Sequence, residues 1–108
     1  MEKKIKNFVP LCDESKNLKN FLKEHLDIDH IITFEVDHCP QSYGILLQSS
    51  FGKIIYSGDT RPCQNLINYS KSAKILIHEA TFNSNQQKEA LIKKHTTTSE
   101  AIEIIKKT

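Results

Sequence analysis

The stretch KIIYSGDT, residues 53–60, joins the end of an apolar segment to a carboxylate through a glycine. Ile54, Ile55 and Tyr56 have high β-propensity, so the segment predicts a short strand. Gly58 then permits a tight turn or a close backbone approach, which can present Asp59 at the rim of a sheet. This stretch allows two interpretations of Asp59: a residue in a solvated turn, or an acid that binds a cation.

The composition is that of an ordinary globular domain. The chain has 108 residues, of which 38% are hydrophobic and 26% charged, so a disordered chain is excluded and one domain is the upper bound. It contains no apolar run long enough for a membrane span, and we expect no membrane partner. Fifteen basic and thirteen acidic residues give a net charge of +2, which is compatible with a nucleic-acid partner without arguing for one. Three cysteines without CxxC spacing predict a reducing compartment and no disulfide framework.

Hydrophobic periodicity predicts the element order α-β-β-β-α-β-α. The predicted elements are a helix from Ser15 to Leu26, strands over 31–36, 43–48 and 53–57, a short helix within 61–73, a strand over 74–78, and a last helix after the capping box Thr97-x-x-Glu100. Residues 49–52 suit a hairpin turn, and the connection after Ser57 is long enough for a parallel crossover. The fold class is therefore α/β, a mixed sheet with helices against it.

Several imidazoles and carboxylates follow the predicted strands. His38 precedes one arm of the hairpin and Asp59 follows the other, so the open end of the hairpin brings them together. Parallel neighbours end at the same edge, which places His78 and Glu79 beside Asp59. His95 follows a short helical stretch and can close over this rim. Nitrogen and oxygen donors of this kind are those of a zinc or manganese site, and a Glu near a His is a common tautomer-fixing or proton-relay pair.

Each of these residues also has an ordinary structural interpretation. His38 is equally compatible with a surface loop histidine, and a single histidine such as His95 is more often a surface residue than a catalyst. Asp59 is a candidate N-cap for the next helix. His78 is better explained as a core histidine than as a ligand. Glu79 is also compatible with a solvated cap. The set, rather than any one member, indicates a site.

Four motifs carry a resemblance to a known family: VDHCPQSYG (36–44), YSGDT (56–60), ILIHEATF (75–82) and HTTTSEA (95–101). In this order and spacing they resemble the C-terminal half of ribonuclease Z, the tRNA 3′-processing endonuclease of the metallo-β-lactamase superfamily. The motif HCPQ-x-Tyr-Gly is most similar to that of the long form of this enzyme. The resemblance extends over residues 31–105, whereas residues 1–30 match loosely. It implies one partial metallo-β-lactamase domain over residues 1–108, one half of the αββα sandwich.

The resemblance also implies roles for individual residues. His38 matches a histidine that ligates one zinc, and Asp59 matches the aspartate that bridges two zinc ions. Glu79 and His95 match an acid–histidine pair that moves protons near the leaving group. Thr96 stands where the family usually has serine, and His78 matches a position that is not a ligand. The implied cofactor is Zn²⁺, two ions per complete site, with Mn²⁺ as a substitute, and the implied substrate is precursor tRNA.

The sequence departs from the family pattern in its ligand count. It contains no HxHxDH cluster, which supplies most of the zinc ligands in the family, and no counterpart of the family's last ligand histidine. We therefore expect a fragment that needs the remainder of the enzyme, exposes an apolar sheet face, and does not cleave RNA alone. The long-form resemblance implies nucleus and mitochondrion as compartments. Two other functions are open: a different hydrolase of the same fold, or a truncated chain that acts as a non-catalytic binding partner.

Overall fold

A computed structural model describes residues 3–4 and 15–108 of the chain. The elements in chain order are β1 (Lys3–Lys4), α1 (Ser15–Leu26), β2 (Ile28–Glu35), β3 (Tyr43–Ser49), β4 (Gly52–Tyr56), α2 (Gln64–Tyr69), β5 (Ile75–Ile77), α3 (Gln87–Lys93) and α4 (Thr98–Lys106). Every predicted helix and strand is present. The structure adds two elements to the predicted order: the short strand β1, and the helix α3 in the short helical stretch expected before His95. Strand β2 begins three residues earlier than predicted, because its pairing with β3 extends through its polar start.

The five strands form one mixed sheet in the order β1-β2-β3-β4-β5. The first three neighbouring pairs are antiparallel, and β4 pairs with β5 in parallel, as the crossover length predicted. Strands β2, β4 and β5 consequently run in the same direction. Their carboxyl ends meet at one edge of the sheet, where Ser57 N–H bonds to the carbonyl of Ile77 at 2.9 Å and Arg61 N–H to that of Asp37 at 2.8 Å.

The hydrophobic core lies on one face of the sheet. Side chains of alternate strand positions pack there against α2 and α4, as period-2 alternation requires: Phe34, Leu46 and Ile55 from the strands, with Leu66, Ile67 and Ile104 from the helices. Tyr69 stacks on Phe34 with ring centroids 4.6 Å apart. Helix α4 begins with the predicted capping box, in which Thr97 and Glu100 satisfy each other's backbone amides.

The opposite face of the sheet is apolar and partly uncovered. An apolar cavity of about 300 Å³ lies on it, and Tyr56 and Ile77 are 44% and 52% exposed. The other lining residues are Ile31, Ile45, Leu47 and Ile54. This agrees with the expected exposed face. No helix in the described part of the chain is long and apolar enough to cross a membrane.

Candidate metal centre

Three side chains converge at the carboxyl edge of the sheet. His38, Asp59 and His95 each place one donor atom within 4.8 Å of the other two. His38 follows β2, Asp59 follows β4 and His95 follows α3, so three separate segments build the cluster. The centroids of the two imidazole rings lie 4.8 Å apart. The convergence of these segments at one edge is therefore observed, and the two histidines lie together there.

Gly58 explains how Asp59 reaches this edge. Its φ is +61°, in the left-handed region, and a Cβ at this position would lie 2.6 Å from the carbonyl oxygen of Tyr43. Only glycine fits such a close approach in this conformation. The helix-cap interpretation of Asp59 is wrong, because α2 begins at Gln64 with Cys63 in the N-cap position. Asp59 remains exposed, and no donor among the described residues hydrogen-bonds its carboxylate.

His38 is oriented by a backbone carbonyl. Its Nδ1 lies 2.7 Å from the carbonyl oxygen of Lys94. Because a carbonyl accepts only, Nδ1 carries the proton and Nε2 keeps its lone pair. Lys94 ends α3 in the left-handed conformation, with φ of 56°, and its ammonium lies 3.9 Å from Asp37. His38 thus has the tautomer that a metal ligand needs, fixed by a partner outside the cluster.

Glu79 is the buried acid of the edge. Its side chain is 6% exposed. One carboxylate oxygen accepts from Thr60 N at 2.8 Å and from His95 Nδ1 at 2.6 Å. The other accepts from Thr96 N at 3.0 Å and the Thr81 hydroxyl at 2.8 Å. Burial by itself would raise the pKa of Glu79, but these hydrogen bonds outweigh it and hold the pKa below its usual range.

The Glu79 carboxylate sets the orientation of His95. A carboxylate accepts the Nδ1 proton of the imidazole, so Nε2 is the nitrogen left for chemistry at the cluster. Phe82 packs edge-on to the same ring, with centroids 6.0 Å apart. The interpretation of Glu79 as a solvated cap is wrong, because both of its carboxylate oxygens accept hydrogen bonds from other groups of the protein. The sequence could not distinguish these cases, because it does not show which amides face the carboxylate.

His78 lies outside the cluster. Its Nδ1 is 2.7 Å from the carbonyl oxygen of Glu79, and its Nε2 is buried without a hydrogen-bond partner in the described residues. This agrees with the sequence-based preference for a non-ligand role.

Thr60 is a residue that the sequence analysis overlooked. It is fully buried and links three segments of the edge. Its amide donates to Glu79, its hydroxyl accepts from the Asp37 amide at 3.0 Å, and its carbonyl accepts from the Thr96 hydroxyl at 2.5 Å. The available signal was its place directly after Gly58-Asp59, where the backbone turns into the site.

A cleft of about 330 Å³ opens beside His38. It is lined by residues 35–42 and by Lys94. Its walls are mainly polar loop residues, and it gives solvent and solutes access to one side of the cluster.

The chain is similar to proteins whose names state a common family. No protein-family model matches the chain. A mitochondrial tRNase Z of Arabidopsis thaliana is 42% identical over 112 residues, a match that covers 88% of this chain and 12% of the relative. The crystal structure of a long-form RNase Z from yeast superposes with a TM-score of 0.73 at 30% identity, over 85% of this chain and 13% of that chain. The chain belongs to the ribonuclease Z family.

A further relative, the zinc phosphodiesterase ELAC protein 2 of Mus musculus, is 42% identical over 90 residues, covering 82% of this chain and 11% of the relative. The chain thus spans only 11% to 13% of the length of the proteins it resembles. Its mixed α/β fold is part of the metallo-β-lactamase fold of ribonuclease Z.

Proposed function

We propose that the chain supplies part of the active site of a zinc-dependent tRNA 3′-processing endoribonuclease, which removes the 3′ trailer from precursor tRNA. The observation that carries the proposal is the convergence of His38, Asp59 and His95 within 4.8 Å, beside a buried Glu79. The names of the relatives, tRNase Z and zinc phosphodiesterase, support the same reaction class.

The donor set fits zinc. Zinc in proteins takes imidazole nitrogen and carboxylate oxygen, and His38 offers a free Nε2 while Asp59 offers two exposed carboxylate oxygens. His38 would hold one zinc, and Asp59 would contribute to both ions, since a carboxylate has an oxygen for each. Mn²⁺ is compatible with the same donors. When bound, the metal supplies Lewis-acid stabilisation of phosphate charge and activation of water.

Glu79 and His95 are proposed to move a proton. Glu79 accepts the Nδ1 proton of His95, which leaves Nε2 as the nitrogen available at the cluster. His95 Nε2 is the atom we assign to protonation of the leaving 3′-oxygen. Glu79 acts through His95, because its own oxygens are used by backbone amides and Thr81.

The chain by itself is proposed to be inactive. Its 108 residues contain no HxHxDH, so most ligands of a two-zinc site must come from the remainder of the enzyme. By analogy with the mitochondrial relative we propose a mitochondrial location, with the nucleus as a second compartment.

The metal assignment is tested by Co²⁺ titration of the 108-residue chain, followed by visible absorption. We expect His38→Ala and Asp59→Ala each to weaken binding at least about tenfold, whereas His30→Ala, an exposed histidine of β2, leaves it unchanged. Equal affinities in wild type and both cluster variants would refute the assignment.

The reaction is tested with precursor tRNA and zinc. We expect no cleavage by the chain alone, and cleavage at the 3′ trailer by a complete enzyme that contains these residues together with an HxHxDH segment. In that complete enzyme His95→Gln lowers kcat, with little change in KM. A complete two-zinc enzyme that leaves precursor tRNA intact but hydrolyses another phosphodiester would favour the other hydrolases of this fold.

A further inference from the structure

Arg61 joins the loops that carry the two histidines of the cluster. Its backbone amide donates to the carbonyl of Asp37 at 2.8 Å, next to His38. Its guanidinium donates to the carbonyl oxygen of His95 at 2.7 Å. Arg61 also lies two residues after Asp59. One residue therefore connects all three segments of the cluster.

The guanidinium is itself held by Glu100 at the start of α4. Two of its nitrogens donate to the two carboxylate oxygens, at 2.8 and 2.7 Å, in a bidentate pair. The side chains are only 14% and 20% exposed, so water screens the pair weakly. Glu100 also accepts from Thr97 N at 3.0 Å and from Gln87 at 2.8 Å, which fixes it to its own helix and to α3.

His95 is held at both its side chain and its backbone. Its imidazole Nδ1 lies 2.6 Å from a Glu79 carboxylate oxygen, and its peptide carbonyl accepts a hydrogen bond from the Arg61 guanidinium. The preceding residue, Lys94, offers the carbonyl that orients His38. A shift of this loop would therefore disturb both imidazoles.

We propose that Arg61 is a positioning residue of the metal centre, which holds His95 and, through Lys94, His38 in their working orientations. The inference rests on the proposed function. It requires arginine rather than a positive charge in general, because the planar fork donates to the His95 carbonyl and to both Glu100 oxygens at once. A lysine ammonium is a point donor without that fixed fork.

The test compares wild type, Arg61→Lys and Lys106→Ala in the 108-residue chain. Lys106→Ala is the matched control, since it breaks an exposed ion pair with Glu103 on the same helix. The first readout is the NMR signal of the His95 Nδ1 proton bonded to Glu79, assigned by its loss in His95→Gln. The second is Co²⁺ affinity.

We expect Arg61→Lys to broaden or remove the His95 signal and to weaken Co²⁺ binding about 10- to 100-fold, with a dispersed amide spectrum. Lys106→Ala should change neither. Retention of the signal and the affinity in Arg61→Lys would overturn the inference, and so would absence of the signal from wild type.

If Arg61→Lys does not fold, Glu100→Gln keeps the shape and removes the charged partner of the fork. Broadening of the His95 signal in that variant supports the inference, and an unchanged signal overturns it. A wild-type chain that shows the signal but binds no Co²⁺ would defeat the metal assignment alone, and the NMR comparison would still decide the role of Arg61.

Discussion

Gly58→Ala offers the sharpest test of how the backbone delivers Asp59. The residue has φ of +61°, which costs an alanine about 1–2 kcal/mol. Its Cβ would also lie 2.6 Å from the carbonyl oxygen of Tyr43, closer than Cβ atoms come to other atoms. Relief of that contact requires a backbone shift, and overpacking of this kind destabilises a protein by about 1–3 kcal/mol. Alanine also lowers the conformational entropy of the unfolded chain relative to glycine, which offsets about 0.4–1 kcal/mol of this loss.

The net expectation for Gly58→Ala is a loss of about 1–5 kcal/mol in the free energy of unfolding. Urea denaturation monitored by circular dichroism measures it. Gln41→Gly is the matched control, since Gln41 is exposed with φ of 63°, and removal of its side chain should be neutral or stabilising. A Gly58→Ala variant within about 0.5 kcal/mol of wild type would refute the argument that this turn needs glycine.

Three further predictions concern the acids and the open sheet face. Glu79→Gln places an amide donor against backbone N–H donors, so it should lower the free energy of unfolding, measured by urea denaturation, by about 2–3 kcal/mol. Glu89→Gln, at an exposed position, should leave this free energy unchanged. The Arg61 guanidinium lowers the pKa of Glu100 from 4.5 to about 2, so the pair stabilises the fold fully above pH 4.5 and loses this effect as the pH falls toward 2. Because the pair is partly exposed, we expect the free energy of unfolding to fall by about 1–2 kcal/mol between these pH values. Glu100→Gln should not show this fall, and a variant whose stability depends on pH as that of the wild type does would contradict the prediction. Ile77→Lys should lower binding of the dye ANS to the open sheet face at unchanged stability, because Ile77 is half exposed, and undiminished dye binding would place the apolar surface elsewhere.

The sequence predicted those features that depend on local pattern. Period-2 and helical spacing located seven of the nine described elements, all except β1 and α3, and the crossover length predicted that β4 and β5 are parallel. From this topology it followed that the segments of His38, Asp59 and Glu79 meet at one edge, and His95 was expected to close over it. The partners of these residues did not follow, since the Lys94 carbonyl, the Thr60 amide and the Arg61 guanidinium are selected by three-dimensional contacts across 19 to 56 residues of chain.

The two acids at the rim, Asp59 and Glu79, show how environment divides the roles of one functional group. The Glu79 oxygens already accept from backbone amides, a hydroxyl and an imidazole, so a metal would have to displace these donors to bind there. Asp59 is exposed, and no described residue donates to it, so a cation meets no such competition. The lowered pKa of Glu79 keeps it ionised and therefore able to hold the His95 proton. Asp59 is consequently the acid suited to ligate a metal, and Glu79 the acid suited to orient a histidine.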